Sequence, residues 1–493
     1  MRLRSYDTWA AAAAAFVVPL VAFLAAAHPG VDFWDSGEMQ TVPYILGIAH
    51  PTGFPTFTLL GWLFSHALPF GNVAWRITAM CALGMALACY FLYRASRELD
   101  VDPASAAGAA LVFAFGSIVW THASRTEVHA IATMFAALLL WLALRWWRAP
   151  SAALLCAGAL IAGIATANHT VAVLLLPGLL LILAGRHRML QWRHLAFAIL
   201  LYAAGVSLYA YLPVRSAIVF SAQKDPTLAL GLPPGRPFWD NDHPSTVAGF
   251  RTEVSGSEFA PGSSLAAIFM PRTYARMPDA YFSRLADEFG PIALVLALGG
   301  AIALARSGVL LALGLVLAGF LPVPFALGYS AESDIERYFL PSLWVIALFI
   351  AVGTSRMVGM IDARYAFARR IGGIVVLGLL AAMLAYGNRG TIDQRYDDAA
   401  SRFIGEIRTR TPANAIIVAN WNYATPLAYG SYVERSLGNR VIVTGWPTDY
   451  EMMYFAWLRL RPVFIVSSSP VELKGFVTKP LEHTNEPIVQ VVR

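Results

Sequence analysis

The sequence predicts an α-helical polytopic membrane protein with about 11 transmembrane helices and a C-terminal extracytoplasmic α/β domain. Three observations carry this. Of 493 residues, 58% are hydrophobic and 13% charged, whereas soluble domains carry roughly 25% charged residues. The mean hydropathy is +0.58, and the apolar residues fall into runs close to the ~20 residues that cross a bilayer. Arginine clusters separate alternate runs, as topology signals do.

Runs near 9–27, 74–93, 105–121, 128–147, 151–168, 170–184, 195–212, 290–305, 309–327, 338–354 and 371–387 give eleven candidate helices. The first follows Arg2 and Arg4 as a signal peptide would, and its Ala-rich end before His28 resembles a cleavage region. A retained helix fits better, because the polar loop behind it agrees with the topology. With the N-terminus in the cytoplasm, Arg94, Arg97, Arg145, Arg148, Arg186, Arg188, Arg193, Arg306, Arg356, Arg364, Arg369 and Arg370 all fall inside. Short outer loops keep few, notably Arg125 and Arg337. This bias puts segments 28–73, 213–289 and 388–493 outside.

In the first outer segment, Phe54 to Pro69 is apolar but short and broken by proline, which predicts an amphipathic helix at the interface. The second carries Pro233-Pro234-Gly235, Trp239-Asp240-Asn241-Asp242 and Pro261-Gly262, loop chemistry throughout, and reads as a lid. From about 390 the pattern becomes α/β. Asp393–Arg410 and Tyr450–Leu460 are helical, and Ala415–Ala419, Val441–Thr444 and Pro462–Ser467 read as strands. The expected division is a transmembrane catalytic module, 1–389, with outer loops 28–73 and 213–289, and a periplasmic accessory domain, 390–493.

Cys81, Cys89 and Cys156 each sit in an apolar run, so no disulfide framework or thiolate zinc site is indicated. The net charge of +6 lies in the topology arginines, which disfavours a nucleic-acid partner. No G-x-G-x-x-G, G-x-x-x-x-G-K-[ST] or G-x-S-x-G element occurs. The predicted helix centres hold almost no ionisable groups, unlike ion-coupled transporters. Instead Asp32, Asp35, Glu38, His50, Arg125, Glu127, His129, Glu332, Asp334, Glu336 and Arg337 lie at outer helix ends. Such a layer can act on something at the outer leaflet.

Asp35-Ser36-Gly37-Glu38 follows the first helix; a carboxylate there can take a proton from an attacking hydroxyl, although Asp-Ser-Gly is also ordinary turn sequence. His50-Pro51-Thr52-Gly53-Phe54-Pro55 fixes a rigid path on which His50 can donate to phosphate. Arg125 and Arg337 can grip phosphate bidentately, or merely form ion pairs with Glu127 and Glu336. Glu127, His129, Asp334 and Tyr338 stand beside them as supporting residues. His50, Glu38 and His129 have no recognised metal-ligand spacing, so the sequence requires no cofactor, and a divalent metal is neither indicated nor excluded.

The Asp-Ser-Gly-Glu loop, the His-Pro-x-Gly-Phe-Pro run and Ala74-Trp75-Arg76 entering the second helix resemble the family of the vertebrate transmembrane protein O-mannosyltransferase and its bacterial relatives. The likeness extends through Thr126-Glu127-Val128-His129 to roughly residue 180 and is looser at Glu336–Pro341. That family belongs to the GT-C superfamily of membrane glycosyltransferases. The resemblance implies a GT-C-like fold and inverting transfer of a sugar, mannose first, from a polyprenyl-phosphate carrier to a protein, glycan or lipid hydroxyl at the outer face. It implies Asp35 as base with Glu38 as second candidate, and donor-phosphate binding by Arg337, Arg125 and His50. The expected setting is a bacterial inner membrane with the site facing the periplasm, and membrane lipids as further partners. A lipid-linked-sugar flippase or exporter and a non-catalytic scaffold are the rival classes.

Overall fold

The computed structural model describes residues 2–257, 265–328, 334–482, 484 and 486–492. Pro261-Gly262 and Glu332 lie outside the described residues. Among those described, eight helices are long and apolar enough to cross a membrane, or nine if the bent pair Pro103–Phe115 and Ser117–Ala123 is one span. Ala152–Asn168 and Thr170–Ala184 are shorter apolar helices. Each of the eleven predicted runs coincides with one of these stretches.

Segment 213–289 departs from the loop that its sequence predicts. The preceding helical stretch continues to Ser221 and the next begins at Pro278. Between them stand a 3-10 turn, Pro226–Leu230, and helices Val247–Ser255 and Pro271–Ala275. Pro233-Pro234-Gly235 and Trp239-Asp240-Asn241-Asp242, which carried that reading, do lie in irregular chain between these elements. Pro226, Pro271 and Pro278 all sit at helix starts, where the missing N–H would have had no partner anyway.

The chain forms two compact units. The first comprises Met1–Ala27, Cys81–Leu208 and Glu258–Asp393. Lipid offers little hydrophobic drive for helix association, so close backbone packing has to hold such a bundle. Here three crossings close on pairs of glycines: Gly163 with Gly205, Gly178 with Gly314, and Gly300 with Gly353. A Cβ at Gly353 would stand 1.9 Å from the Leu296 carbonyl oxygen, and one at Gly300 2.0 Å from that of Phe349. Trp344, buried in the same unit, donates its indole N–H to the Ala88 carbonyl at 3.0 Å.

The 72° bend between Phe115 and Ser117 leaves the first N–H groups of the short Ser117–Ala123 helix without intrahelical acceptors. Glu288 supplies them. Its carboxylate accepts from Ile118 N–H at 3.0 Å, Val119 N–H at 3.3 Å and the Ser117 hydroxyl at 2.9 Å. Glu288 is an ionisable residue within a span, which the run 290–305 did not reveal; it is tolerated there because it satisfies backbone donors that lipid cannot. The helix that it fixes carries His122 and leads into Arg125.

The second unit comprises His28–Met80, Tyr209–Ser257 and Gln394–Arg493. Its five-stranded sheet consists of β1 (Ile416–Ala419), β2 (Val441–Thr444), β3 (Val463–Val466), β4 (Val477–Pro480) and β5 (Ile488–Val492), in the order β2-β1-β3-β5-β4. β1 runs parallel to β2 and β3, and β5 antiparallel to β3 and β4. β1 and β3 are buried along their whole length, so they read as continuous apolar runs and match the prediction. β4 and β5 escaped it, since Val-Thr-Lys-Pro is largely exposed. The helical stretch expected from Asp393 begins only at Ala399. Leu230 and Leu232, from segment 213–289, enter the core of the sheet, where Trp457 donates to the Leu230 carbonyl at 3.0 Å.

Candidate active site

In the second unit the predicted Asp35 turn is the start of a helix, Trp34–Ile45, with Asp35 in its first turn, where a carboxylate favours the helix dipole. Gln40 steadies the approach, accepting from Asp32 N–H at 2.9 Å and donating to the Gly30 carbonyl at 3.2 Å. Asp35 is half-buried and accepts from the indole N–H of Trp421 at 2.9 Å. Trp34, next to it, holds a left-handed φ of 56° while 63% exposed, a conformation that costs energy in a non-glycine residue. Gly37 lets the helix pack tightly, since a Cβ there would stand 2.4 Å from the Asp32 carbonyl oxygen.

Glu38 is fully buried, and both of its oxygens hold His50. One accepts the His50 N–H at 2.8 Å and the other meets Nδ1 in a short contact. The geometry makes Glu38 a clamp on His50 rather than a group open to substrate. The His50 ring stands edge-on to Trp421 and Phe54, at 5.9 and 5.2 Å between centroids.

Glu253 lies behind this loop. It is fully buried and accepts from Asn241 Nδ2 at 3.1 Å. Burial pushes its carboxyl well above the usual carboxylate range; the charges of Asp242 and Glu38 add to this, while Asn241 and His50 oppose it. Because the folded protein then holds a proton that the unfolded chain gives up near the ordinary value, stability is fullest below that value and falls as pH rises towards the folded one. Glu253→Gln is expected to flatten the decline of melting temperature with rising pH relative to the parent. Identical slopes in the two proteins would refute a buried neutral Glu253.

In the first unit, Glu127 caps the helix Val128–Arg148. Its Oε1 lies 2.9 Å from His129 Nδ1, and its Oε2 lies 3.6 Å from Arg125 and 3.8 Å from Arg337. Arg125 also pairs with Asp334 and stands 3.1 Å from His122 Nδ1. Burial by itself would raise the Glu127 pKa, but the His129 hydrogen bond and charge, with the two guanidiniums, outweigh it and hold the carboxyl well below its usual range. Two guanidiniums thus face two carboxylates.

Tyr338 completes the cluster, its ring 4.6 Å from that of His129 and 6.0 Å from that of His169. These three residues and Arg337 line a narrow slot walled by Leu139 and Leu175, with about 30 Å³ of free room. His129 Nε2 is buried with no hydrogen-bond partner among the described residues. Ligand atoms of His122, Glu127 and Asp334 lie within 4.8 Å of one another and so form a set able to hold a metal ion. Arg125 reaches all three, however, and its guanidinium already balances their charge. The set weighed from sequence is different, and within it His50 and Glu38 are paired with each other.

Residues 35–192 match the family described as "Protein O-mannosyl-transferase TMEM260 N-terminal domain". Over 455 residues the chain is 27% identical to protein O-mannosyl-transferase TMEM260 of Mus musculus, covering 86% of this chain and 60% of the relative. It is 32% identical over 123 residues to the Dictyostelium discoideum protein of the same description, covering 24% of this chain and 15% of that one. ArnT from Cupriavidus metallidurans, in a crystal structure bound to undecaprenyl phosphate, matches with a TM-score of 0.55 at 12% identity over 97% of both chains. Its apo structure gives 0.54 at 13%. The chain is similar to the TMEM260 protein O-mannosyl-transferases and has the GT-C fold of ArnT. The TMEM260-like stretch contains Asp35, Glu38, His50, Arg125, Glu127 and His129, whereas Asp334, Arg337 and Tyr338 lie beyond it.

Four contributors escaped the sequence reading. His122 lies just past the run 105–121, Trp421 in the tail, and Glu253 in a stretch that reads as loop. His169 caps the turn Thr170–Leu175 and faces His129 and Tyr338.

Proposed function

We propose that the chain is a glycosyltransferase that moves a sugar, mannose first, from a polyprenyl-phosphate carrier to a protein hydroxyl at the outer face of a bacterial inner membrane. The observation that carries this is the pair of guanidiniums, Arg125 and Arg337, held in the first unit beside the starts of the apolar helices Val128–Arg148 and Leu340–Gly359. A lipid phosphate needs both chemistries, cationic donors for its head and an apolar wall for its chain. ArnT, which shares the fold, has been crystallised with undecaprenyl phosphate, and the named relatives are protein O-mannosyl-transferases.

Asp35 would take the proton of the acceptor hydroxyl as its oxygen attacks the anomeric carbon, while the bond from that carbon to the carrier phosphate breaks. Arg337 and Arg125 would offset the charge gathering on the departing phosphate. The arginines are already balanced, so an arriving phosphate must displace an anion. Asp334, with its side chain 38% exposed against 6% for Glu127, is the replaceable one. Glu38 and Trp421 would position His50 and Asp35.

The test is transfer by the purified full chain. Supplied with polyprenyl-phosphate mannose and Ser/Thr peptides, it is expected to yield mannosylated peptide. Transfer from a nucleotide sugar in place of the lipid donor would overturn the donor assignment. Headgroup translocation that survives Asp35→Asn would make the protein a flippase, and absence of donor binding would make it a scaffold.

A further inference from the structure

We propose that the second unit carries the acceptor cleft, a groove that takes an extended polypeptide and favours an acidic side chain about four residues from the hydroxyl receiving the sugar. This rests on the glycosyltransferase reading above and deepens it.

Two open clefts of about 540 and 530 Å³ share Ser431, Tyr432 and Gly438, and so run into one another. Tyr44 and His66 bound one end, Val441 and Arg461 the other. Small-molecule sites usually enclose most of their ligand; a groove open along its length suits a chain that passes through. Its distance from Asp35 follows from the helix. Tyr44 lies on Trp34–Ile45, nine residues after Asp35. At 1.5 Å per helical residue this is roughly 14 Å, which an extended chain at ~3.4 Å per residue covers in about four residues. Packed rings connect the two places beneath the surface: Trp421, hydrogen-bonded to Asp35, stacks on buried Phe238 at 5.9 Å, and Phe238 meets Tyr432 at 6.4 Å.

The rings in the cleft are turned on one another. Tyr44 stacks on His66 at 4.8 Å with 11° between planes, and Trp239 stands edge-on to Tyr432 at 5.5 Å. Tyr44 and His66 thus each cover one face of the other. Ring edges, the Ser431 hydroxyl and the Gly438 backbone suit a polypeptide. Arg435 is exposed in the lining and Arg461 closes the far end, so the complementary residue is an acid.

The experiment uses the full chain, lipid-linked donor and synthetic peptides with one Thr and either Glu or Lys four residues before or after it. An exposed ion pair contributes at most about 1 kcal/mol, so the parent is expected to use the better Glu peptide about fivefold more efficiently than its Lys counterpart, and Arg435→Glu to invert that preference. A photoreactive group at the same peptide position is expected to label Tyr44–Ile45 or Ser431–Gly438. Equal ratios in parent and variant, or labels mapping elsewhere, would overturn the cleft while leaving transferase activity standing. Consumption of the donor with transfer to glycan but to no peptide would overturn the protein-acceptor reading, and the cleft with it.

Discussion

Asp35→Asn is expected to lower kcat by about 10²- to 10⁴-fold, the usual contribution of a general base, with the KM for the lipid donor little changed. Asparagine preserves the size of the side chain, and its carbonyl oxygen can still accept the Trp421 indole N–H that now lies 2.9 Å from Asp35. The substitution therefore removes proton acceptance while leaving the local structure in place. Steady-state turnover with a lipid-linked donor, alongside a melting curve, makes the comparison. Near-normal turnover of a folded variant would eliminate Asp35 as the base.

Arg337→Ala is expected to lower kcat/KM for the donor by about 10²- to 10³-fold, as loss of one charge-stabilising donor does elsewhere. Lysine should restore part of this, because an ammonium supplies the charge without the planar fork. Removing Arg337 also takes a cation from buried Glu127, 3.8 Å away, and that alone can impair a protein. The double variant Arg337→Ala/Glu127→Gln separates the two effects. If the arginine holds phosphate, the double variant stays inactive. If it recovers, or if donor dependence never changed, Arg337 has no place in the phosphate site.

The spans were legible because lipid imposes one rule on every one of them, an apolar run of fixed length with all backbone groups satisfied internally. Even the bent pair around Gly116 registered as a single run. How those spans meet was not legible: Gly178 and Gly314 touch across 136 residues of sequence, and nothing local marks either as a crossing point. The candidate site divides in the same way. Asp35, His50, Glu127 and Arg337 stood out because polar groups beside apolar runs are conspicuous. Glu38 also stood out, but its burial, which turns it from a candidate base into a clamp, follows from packing that no spacing encodes. Glu253 and Trp421 were hidden because a lone acid in a loop and a tryptophan in a tail are commonplace.

Asp35 and Trp421 are separated by 386 positions, with nearly all of the apolar helices made between them. At roughly 5–20 residues per second, a ribosome needs about 20 to 80 s to travel from one to the other. Throughout that interval the growing polypeptide is already threading into the bilayer, yet the carboxylate lacks its indole anchor. The newborn molecule thus gains that anchor only after the intervening spans have been made, and a chain cut short before Trp421 would yield a well-inserted but unfinished protein.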